Sequence, residues 1–387
     1  MTRVTNVWTL AVTLFALMIG SAGAAPVYSL IDLGELPGGA NYSAGYGISA
    51  NGVYVTGDSS MTTNGRAFRW DNGTGMTDLG GFPGYNSDSI GRGVNSLGQV
   101  VGGSLHELNR IQAFLLEGGT MTQLPGLTDF TRESTATGIN DFGHISGYAT
   151  DGFSDRAVRW TEEDGAQNLG GVLATVYSRG YAINDDGIVV GFYNEGSRDQ
   201  AFLWHPVTGM LDLGAVSGGD DFSQAYGISN TNVDSLDAMY PGSVVGVEDN
   251  IAFLWTPTGG TISLGSIPGG RDWESAGLGV NIYGQVVGYS DEGPGDDRAF
   301  LWQSDLGMLD LTTLLDSSGA GWQLTSARAI NDQGWIVGDG WDPEENAIHA
   351  YLLIPVSAVP EPSSLLLIGL GSIIAAGWNV RRWRRLV

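Results

Sequence analysis

The feature that most constrains the fold is a three-residue phrase that recurs along the chain. Each copy has Gly or Ala, then Ile or Val, then Asn or Ser. The copies stand at residues 47–49, 93–95, 138–140, 182–184, 227–229, 279–281 and 329–331. Their aliphatic residues follow one another at steps of 46, 45, 44, 45, 52 and 50 residues. Because a period of this size is typical of repeat architectures, we interpret the body as seven copies of one unit.

Each repeat contains four short segments that suit β-strands, since they are rich in Val, Ile, Phe, Trp and Thr and are bounded by Gly, Asn and Asp. Three further strands follow the recurring phrase in each repeat. Examples from different repeats are a strand that ends on glycine (residues 100–102), an aromatic strand (201–204) and a last strand (75–80). An Asn-x-x-Gly sequence between the first two suits a type I turn with a glycine at positive φ. Repeated antiparallel groups of four predict an all-β, seven-bladed β-propeller over residues 25–356.

The order of the strands also predicts how the ring closes. The last repeat lacks a fourth strand, because residues 351–354 lead directly to the C-terminal tail. Residues 28–34 resemble that missing strand and precede the first repeat. We therefore expect the N-terminal strand to complete the last blade, which removes the exposed sheet edge. An open solenoid of β-repeats is the alternative, and it would not need this strand.

Both ends of the chain indicate export. Residues 1–24 combine Arg3, an apolar run and small residues up to Ala24, which predicts a signal peptide with a short helix; a buried core helix is the alternative. Residues 363–380 are long and apolar enough to predict a transmembrane helix. The arginine cluster that follows is Arg381, Arg382, Arg384 and Arg385. This cluster predicts that the C-terminus remains in the cytoplasm while the body lies outside.

The sorting tail, residues 357–387, resembles the PEP-CTERM signal of Gram-negative bacteria in its order of motif, hydrophobic helix and arginine cluster. The motif residues are Val359, Pro360, Glu361 and Pro362. The resemblance implies that an exosortase is a partner, that it removes the tail from an inner-membrane intermediate, and that the body reaches the cell surface or extracellular matrix. A permanent membrane anchor is the alternative.

The repeats resemble the HAF family of bacterial extracellular repeats in phrases such as residues 201–204, 212–214 and 284–288. The resemblance covers nearly the whole body and implies extracellular placement without an established reaction. The first repeat departs from the pattern at Ser49. The fifth departs further, with an insertion at residues 230–242 that is either a partner-binding loop or neutral drift.

Charge and motifs limit the functions that the chain can have. A formal net charge of -25 without any lysine excludes nucleic acid as an expected partner and favours cations or neutral polymers. The sequence has no Gly-x-Ser-x-Gly and no His-Glu-x-x-His, and its acids single out no glycosidase pair. The four histidines, which lack metal-ligand spacing, are expected to be isolated loop or surface residues: His106, His144, His205 and His349. We therefore predict no enzyme activity and no cofactor, with calcium as a candidate ion.

One end of the propeller should carry the longer, acidic connections, which include Asp155 and Asp342. Carboxylates there suit calcium, and neighbouring aromatic rings suit sugars; acids that only solvate the loops are the alternative. The candidate ligand rim consists of Asp220, Asp221, Asp272, Trp273, Glu274, Asp291, Glu292, Asp296 and Asp297. The tryptophans that end the aromatic strands are expected to pack between blades instead: Trp70, Trp160, Trp204, Trp255 and Trp302.

These observations predict an exported, non-catalytic binding or structural module whose partner is a polysaccharide, in the setting of an exopolysaccharide matrix or biofilm. Two alternatives stay open at this point. One is a secreted carbohydrate-active enzyme that uses acidic residues at the propeller mouth. The other is a scaffold for protein–protein interaction.

Overall fold

The computed structural model describes residues 25–61, 65–85, 88–170, 177–194, 196, 198–214, 222–231, 242–268, 274–291 and 297–356. The chain divides into two compact units, Met1–Ile354 and Pro355–Val387, and the fold described below is that of the first. The predicted signal helix (1–24), the sorting motif (359–362), the transmembrane helix (363–380) and the arginines at 381–385 lie outside the described residues. Within the described ranges, no helix is long and apolar enough to cross a membrane.

The described residues form 28 strands and three short 3-10 helices. The strands are β1 (Tyr28–Asp32), β2 (Gly39–Ile48), β3 (Tyr54–Met61), β4 (Gly65–Asp71), β5 (Gly75–Asp78), β6 (Ser89–Val94), β7 (Val100–His106), β8 (Arg110–Glu117), β9 (Thr120–Gln123), β10 (Glu133–Ile139), β11 (Ile145–Thr150), β12 (Asp155–Thr161), β13 (Gly165–Asn168), β14 (Tyr177–Ile183), β15 (Val189–Asn194), β16 (Asp199–His205), β17 (Gly209–Asp212), β18 (Ser223–Ile228), β19 (Val244–Glu248), β20 (Ile251–Thr256), β21 (Gly260–Gly265), β22 (Glu274–Val280), β23 (Val286–Asp291), β24 (Asp297–Gln303), β25 (Gly307–Asp310), β26 (Gln323–Ile330), β27 (Ile336–Asp342) and β28 (Ala347–Pro355). The 3-10 helices are Glu107–Asn109, Leu311–Leu314 and Ser317–Gly319.

Consecutive strands pair in antiparallel groups of four, which we call blades. Five blades are separate sheets: β6–β9, β10–β13, β14–β17, β18–β21 and β22–β25. An eight-stranded sheet contains the first blade, β2–β5, and the last blade, β26–β28 with β1. Its two halves are joined by a single parallel bridge between Tyr42 and Ile348. The all-β fold of four-stranded antiparallel units is therefore confirmed.

The two ends of the repeat region meet in the last blade. Strand β1 pairs with β28, and Leu33 N donates a hydrogen bond to Ala350 O at 3.0 Å. Successive blades contact one another in chain order, and β27 of the last blade contacts β2 of the first. The prediction that the N-terminal strand completes the last blade is confirmed, and an open solenoid would not show this contact.

Hydrophobic side chains fill the space between blades. Trp160 of β12 packs in one cluster with Val101 and Ala113 of the preceding blade. Its Nε1 donates to Pro125 O at 2.7 Å, so that the indole is both buried and hydrogen-bonded. Trp204 lies in the same way against Ala157 of the blade before it. The prediction that the repeated tryptophans pack between blades is confirmed at these positions.

The turns between first and second strands lie at one end of the blades, which we call the turn face. In the predicted turn at residues 140–143, Gly143 N donates to Asn140 O at 3.1 Å and Gly143 has φ 79°. Asn140 Oδ1 also accepts from Phe142 N at 3.0 Å and from His144 N at 2.8 Å. The Asn-x-x-Gly sequence thus forms the turn that was predicted, with glycine at the position that requires a positive φ.

The same asparagine joins one blade to the next. Asn140 Nδ2 donates to Asn184 O of the following blade at 2.8 Å. Equivalent bonds are made by Asn95, Asn184, Asn281 and Asn331. The last of these reaches Ser49 O of the first blade at 3.3 Å and therefore spans the closure of the ring.

A buried serine joins the blades nearer their other end, which we call the loop face. Ser89 Oγ of β6 accepts from Ala67 N of the preceding blade at 3.0 Å and donates to Gly80 O there. Ser43, Ser134, Ser178, Ser223 and Ser275 accept the equivalent bond. Because these groups are buried, the serines satisfy backbone atoms that would otherwise lack partners.

Every first strand carries a β-bulge at the same place. In β14 the pairing with β15 shifts between Gly180 and Ala182, which leaves Tyr181 without a partner. The bulged residues are Tyr46, Arg92, Thr137, Tyr181, Tyr226, Leu278 and Arg328. The glycine opposite is required by close approach, since a Cβ on Gly191 would lie 1.9 Å from Arg179 O. A bulge of this kind bends the strand and redirects one side chain.

Candidate functional site

The first strands line a central channel, because each contacts the first strand of the next blade. At the turn face, the aliphatic residues of the recurring phrase surround the channel: Ile48, Val94, Ile139, Ile183, Ile228, Val280 and Ile330. The cavity at this end has a volume of about 140 Å³. A ligand would therefore find little room there.

A larger cavity of about 420 Å³ lies in the channel on the loop-face side of that aliphatic ring. All of the bulged residues line it, together with Tyr148 and Arg179. We call this cavity the mouth. The asparagines, serines and tryptophans repeat from blade to blade and serve packing, whereas the bulged residues differ. The mouth is therefore the part of the channel with an individual chemistry.

Three arginines meet in the mouth of a strongly acidic protein. Arg179 Nε and Nη2 each lie 2.6 Å from Asp155 Oδ2. Arg328 Nε donates to Asp339 Oδ1 at 2.7 Å. Arg92 is exposed, and no carboxylate of the described residues lies within ion-pair distance of it. Its guanidinium therefore has donors available to a ligand in the mouth.

Tyrosine rings form the walls between these arginines. The guanidinium carbons of Arg92 and Arg328 lie 5.6 Å and 4.9 Å from the ring centroid of Tyr46. The rings of Tyr181 and Tyr226 lie 5.4 Å apart and are tilted by 50°. Cation–π and aromatic contacts orient the rings, and the Tyr226 hydroxyl also donates to Gln224 Oε1 at 2.8 Å.

The tyrosine hydroxyls are neutral at physiological pH. Burial raises the pKa of Tyr46, and the neighbouring Asp58 carboxylate raises it further. Burial is also the main cause of the raised pKa values of Tyr181 and Tyr226. A protonated phenol both donates and accepts hydrogen bonds, so the mouth matches a ligand rich in hydroxyl groups.

A further cavity of about 630 Å³ adjoins the mouth at Arg92 and Tyr148. Asp58 of β3 lines it, and the Oδ1 atom of Asp58 is buried without a hydrogen-bond partner in the described structure. Burial raises the pKa of the Asp58 carboxyl, while a hydrogen bond from Tyr46 and the charge of Arg92 act in the opposite direction. A poorly satisfied carboxyl group thus stands beside the mouth.

Three residues of the predicted ligand rim are described and lie together at the loop face. Glu274 is opposite Asp291 in the sheet, and Asp291 is opposite Asp297. Burial raises the pKa of Asp297, and the carboxylates of Asp291 and Glu274 add to this effect. The other six lie outside the described residues: Asp220, Asp221, Asp272, Trp273, Glu292 and Asp296. Ion binding at this row stays a prediction.

Two acids assigned to the acidic connections are in fact buried. Asp155 is 6% exposed and pairs with Arg179, and Asp342 is 4% exposed. The expectation for the histidines is wrong for His349, which is 0% exposed and lies 3.2 Å from Asp32 through its Nδ1 and Oδ1 atoms. Spacing along the chain could not show this contact, because Asp32 belongs to the N-terminal strand.

The insertion of the fifth repeat begins against the preceding blade. Asn230 Nδ2 donates to Asp185 Oδ2 at 2.9 Å, and Asp185 N donates to Asn230 Oδ1 at the same distance. Residues 232–241 lie outside the described part of the chain. Whether the insertion binds a partner stays a prediction.

Sequence reasoning missed the residues that line the mouth. A signal was nonetheless present, since each bulged residue stands between two residues that are Gly or Ala, directly before the recurring phrase and two positions before its aliphatic residue. A variable position inside an otherwise uniform pattern was the mark of the site.

Residues 358–385 match the PEP-CTERM protein-sorting motif. The predicted sorting signal is therefore confirmed. Such a motif implies an exported protein that passes through a membrane-anchored intermediate and is processed by an exosortase. The HAF resemblance of the repeats stays a prediction.

Solved structures with propeller-like architecture are similar to this chain in fold. Streptogramin B lyase shares 14% identity over 84% of this chain and 98% of its own, with a TM-score of 0.50. Oligogalacturonate lyase from Vibrio parahaemolyticus shares 10% identity over 86% and 94%, with a TM-score of 0.48. TolB from Acinetobacter baumannii shares 11% over 76% and 60%, with a TM-score of 0.40. No curated protein sequence matches the chain. At these identities the likeness concerns the fold alone.

Proposed function

We propose that this protein is an exported, seven-bladed β-propeller with HAF-type repeats that binds a polysaccharide in its mouth without cleaving it. An exosortase delivers it to the cell surface or exopolysaccharide matrix of a Gram-negative bacterium. The observation that carries the proposal is the ring of bulged residues, in which tyrosines and an exposed arginine face one cavity.

Sugar rings suit this cavity for two physical reasons. The C–H faces of a pyranose pack on aromatic rings such as Tyr181 and Tyr226, and sugar hydroxyls pair with neutral phenols. The Arg92 guanidinium supplies further donors to hydroxyl oxygens. These features support a binding site that orients one or two sugar units.

The charge distribution favours a neutral polymer. Asp155 and Asp339 compensate Arg179 and Arg328, and the whole chain carries a formal charge of -25. A polyanion would approach an acidic surface against long-range repulsion, whereas a neutral glycan would not. Calcium at the row of Glu274, Asp291 and Asp297 belongs to the same proposal as an aid to binding at the rim.

The test is a glycan array and a matrix pull-down with the purified protein, run with and without calcium, for the wild type and for Arg92→Ala and Tyr181→Ala. Each variant is expected to bind at least tenfold more weakly, which corresponds to about 1.4 kcal/mol. The matched control is Tyr283→Ala, since Tyr283 is 69% exposed in a turn at the turn face.

Three results would contradict parts of the proposal. If Tyr283→Ala weakens glycan binding as much as the mouth variants do, the mouth is not the binding site. If binding is unchanged after chelation, calcium takes no part in it. An absence of glycan binding by the wild type would favour a protein partner instead.

A carbohydrate-active enzyme is the second candidate, and Asp58 is the observation that favours it. Burial raises the pKa of the Asp58 carboxyl, to which the charge of Asp339 adds, and a carboxyl with a raised pKa beside a cavity suits a general acid. Analysis of the bound polymer for shortened products separates the two functions. Products that disappear in Asp58→Asn would establish the enzyme and overturn the non-catalytic proposal.

A further inference from the structure

The seam between the N-terminal strand and the last blade contains a cluster of metal-ligating side chains. Asp32 of β1, Asp342 of β27 and His349 of β28 each present one ligand atom, and the three atoms lie within 4.8 Å of one another. His349 Nδ1 lies 3.3 Å from Asp32 Oδ2 and 3.7 Å from Asp342 Oδ2. Because Asp32 and His349 are 317 positions apart, the cluster forms only when the ring is closed.

The backbone holds both carboxylates in place. Asp32 Oδ1 accepts from Gly34 N at 2.8 Å, and Asp342 Oδ1 accepts from Glu344 N at 2.8 Å. Both oxygens of Asp32, at 3.2 Å and 3.3 Å, and the Oδ2 atom of Asp342, at 3.7 Å, nevertheless face His349 Nδ1. Ligand atoms of a tetrahedral zinc ion lie about 3.4 Å from one another, given metal–ligand distances of about 2.1 Å. The distances from His349 Nδ1 to the two carboxylates, 3.3 Å and 3.7 Å, are close to this spacing.

One nitrogen of the His349 imidazole lacks a hydrogen-bond partner. His349 is fully buried, and its Nε2 atom has no hydrogen-bond partner in the described structure. Glu345 Oε2 lies 3.8 Å from Nε2, on a side chain that is 62% exposed and free to rotate. A metal at Nδ1 would fix the imidazole proton on Nε2, where Glu345 would accept it as an outer-shell partner.

The excess of negative charge around His349 also favours a bound cation. One imidazole faces the carboxylates of Asp32, Asp342 and Glu345, so even a protonated ring would compensate only one of them. In the preceding blade, the corresponding pair is Arg298 and Asp310, in which a guanidinium meets a carboxylate at 3.1 Å. The last blade replaces a permanent cation by a metal ligand and gathers additional acids around it.

We propose that Asp32, Asp342 and His349 bind a divalent transition-metal ion, best matched by zinc, with water completing the coordination. An imidazole nitrogen with two carboxylates suits zinc, whereas calcium takes six to eight oxygen ligands. The ion would tie β1 to β27 and β28 and so fasten the first of the described strands to the last two. This inference is independent of the polysaccharide site.

The test uses the full, tag-free protein after removal of metals, with zinc sulfate as the probe. Calorimetric titration is expected to give one zinc ion per chain, and thermal unfolding is expected to shift to higher temperature with added zinc. Cobalt in place of zinc is expected to give the visible absorption of a low-coordinate site, and calcium is expected to give no shift.

The variants separate the ligands from the fold. His349→Ala is expected to weaken zinc binding at least a hundredfold, and Glu345→Gln about tenfold. Since His349 is buried and its loss could prevent folding, Asp32→Asn provides a second variant that keeps the bond from Gly34 N. Its matched control is Asp78→Asn, because Asp78 Oδ1 accepts from Gly80 N at 2.7 Å in the equivalent turn of the first blade.

The expected result is loss of binding in Asp32→Asn and full binding in Asp78→Asn. Failure of the wild-type protein to bind stoichiometric zinc would overturn the inference. Zinc binding that survives both His349→Ala and Asp32→Asn would overturn it as well, because the ion would then occupy another place. A preference for calcium over zinc would refute the assignment of the metal.

Discussion

Asn140 is the residue at which the joint between two blades can be measured. Its side chain is buried and makes three hydrogen bonds to the backbone, two within its own turn and one to Asn184 O of the next blade, besides a long contact of 3.4 Å between Nδ2 and His144 Nδ1. A typical intramolecular hydrogen bond contributes about 1 kcal/mol net. Asn140→Ala is therefore expected to lower the free energy of unfolding by about 3 kcal/mol.

The repeats themselves provide the intermediate variant. Serine occupies this position in the fifth repeat, where Ser229 Oγ accepts from Ser243 N at 2.9 Å. Asn140→Ser should keep one bond within the turn and lose the bond to the next blade, with an expected cost of about 2 kcal/mol. Phe142→Ala is the control, since Phe142 is 72% exposed in the same turn and its loss should change stability by less than about 0.5 kcal/mol.

The measurement is equilibrium urea unfolding of the three variants and the wild type, followed by tryptophan fluorescence. A cost below about 1 kcal/mol for Asn140→Ala would refute the reasoning, because it would mean that water replaces the lost partners at no expense. Wild-type stability of Asn140→Ser would show instead that the bond between blades contributes nothing.

Two further predictions concern the bulges and Asp58. Gly191→Ala places a methyl group 1.9 Å from Arg179 O and is expected to cost about 3 kcal/mol or more, against about 1 kcal/mol for Gly118→Ala in an open turn; similar urea midpoints for the two would contradict this. Because the pKa of Asp58 is raised in the folded protein, the folded state binds a proton that the unfolded state releases, and stability falls as pH rises through the folded pKa. Asp58→Asn is therefore expected to raise the unfolding temperature at pH 7 and to have little effect at pH 3; equal shifts at both pH values would contradict the assignment.

The fold was predictable because its determinants are local and repeated. The Asn-x-x-Gly turns, the glycine-closed strands and the aromatic strands recur with similar spacing. A strand that is hard to assign in one repeat can therefore be assigned from its equivalents in the others. Closure was predictable for a similar reason, since one strand was missing at one end and in excess at the other. The hydrogen bond from Asn140 to the next blade was not predictable. Asparagine is already explained by its role in the turn, so its presence gives no sign of a second role.

The repeat pattern marks where the mouth residues stand along the chain but determines neither their side chains nor their meeting in space. Tyr181 and Arg92 differ in type, and what they share is a backbone shift that places them in one cavity. The cluster around His349 joins the first and the last strand of the propeller, so no spacing rule reaches it. Glu274, Asp291 and Asp297 were assigned to connections, whereas they lie at the ends of strands, where the register of the hairpins makes them neighbours.

The bulges have an evolutionary consequence. In each repeat, the codon that determines the side chain in the mouth is separate from the codons for the serine, asparagine and tryptophan that join the blades. Substitutions at the bulged positions alone could therefore change what the propeller recognises, while the contacts between blades remain as they are. For the same reason, the bulged positions could be randomised to select new binding proteins without altering the residues that join the blades.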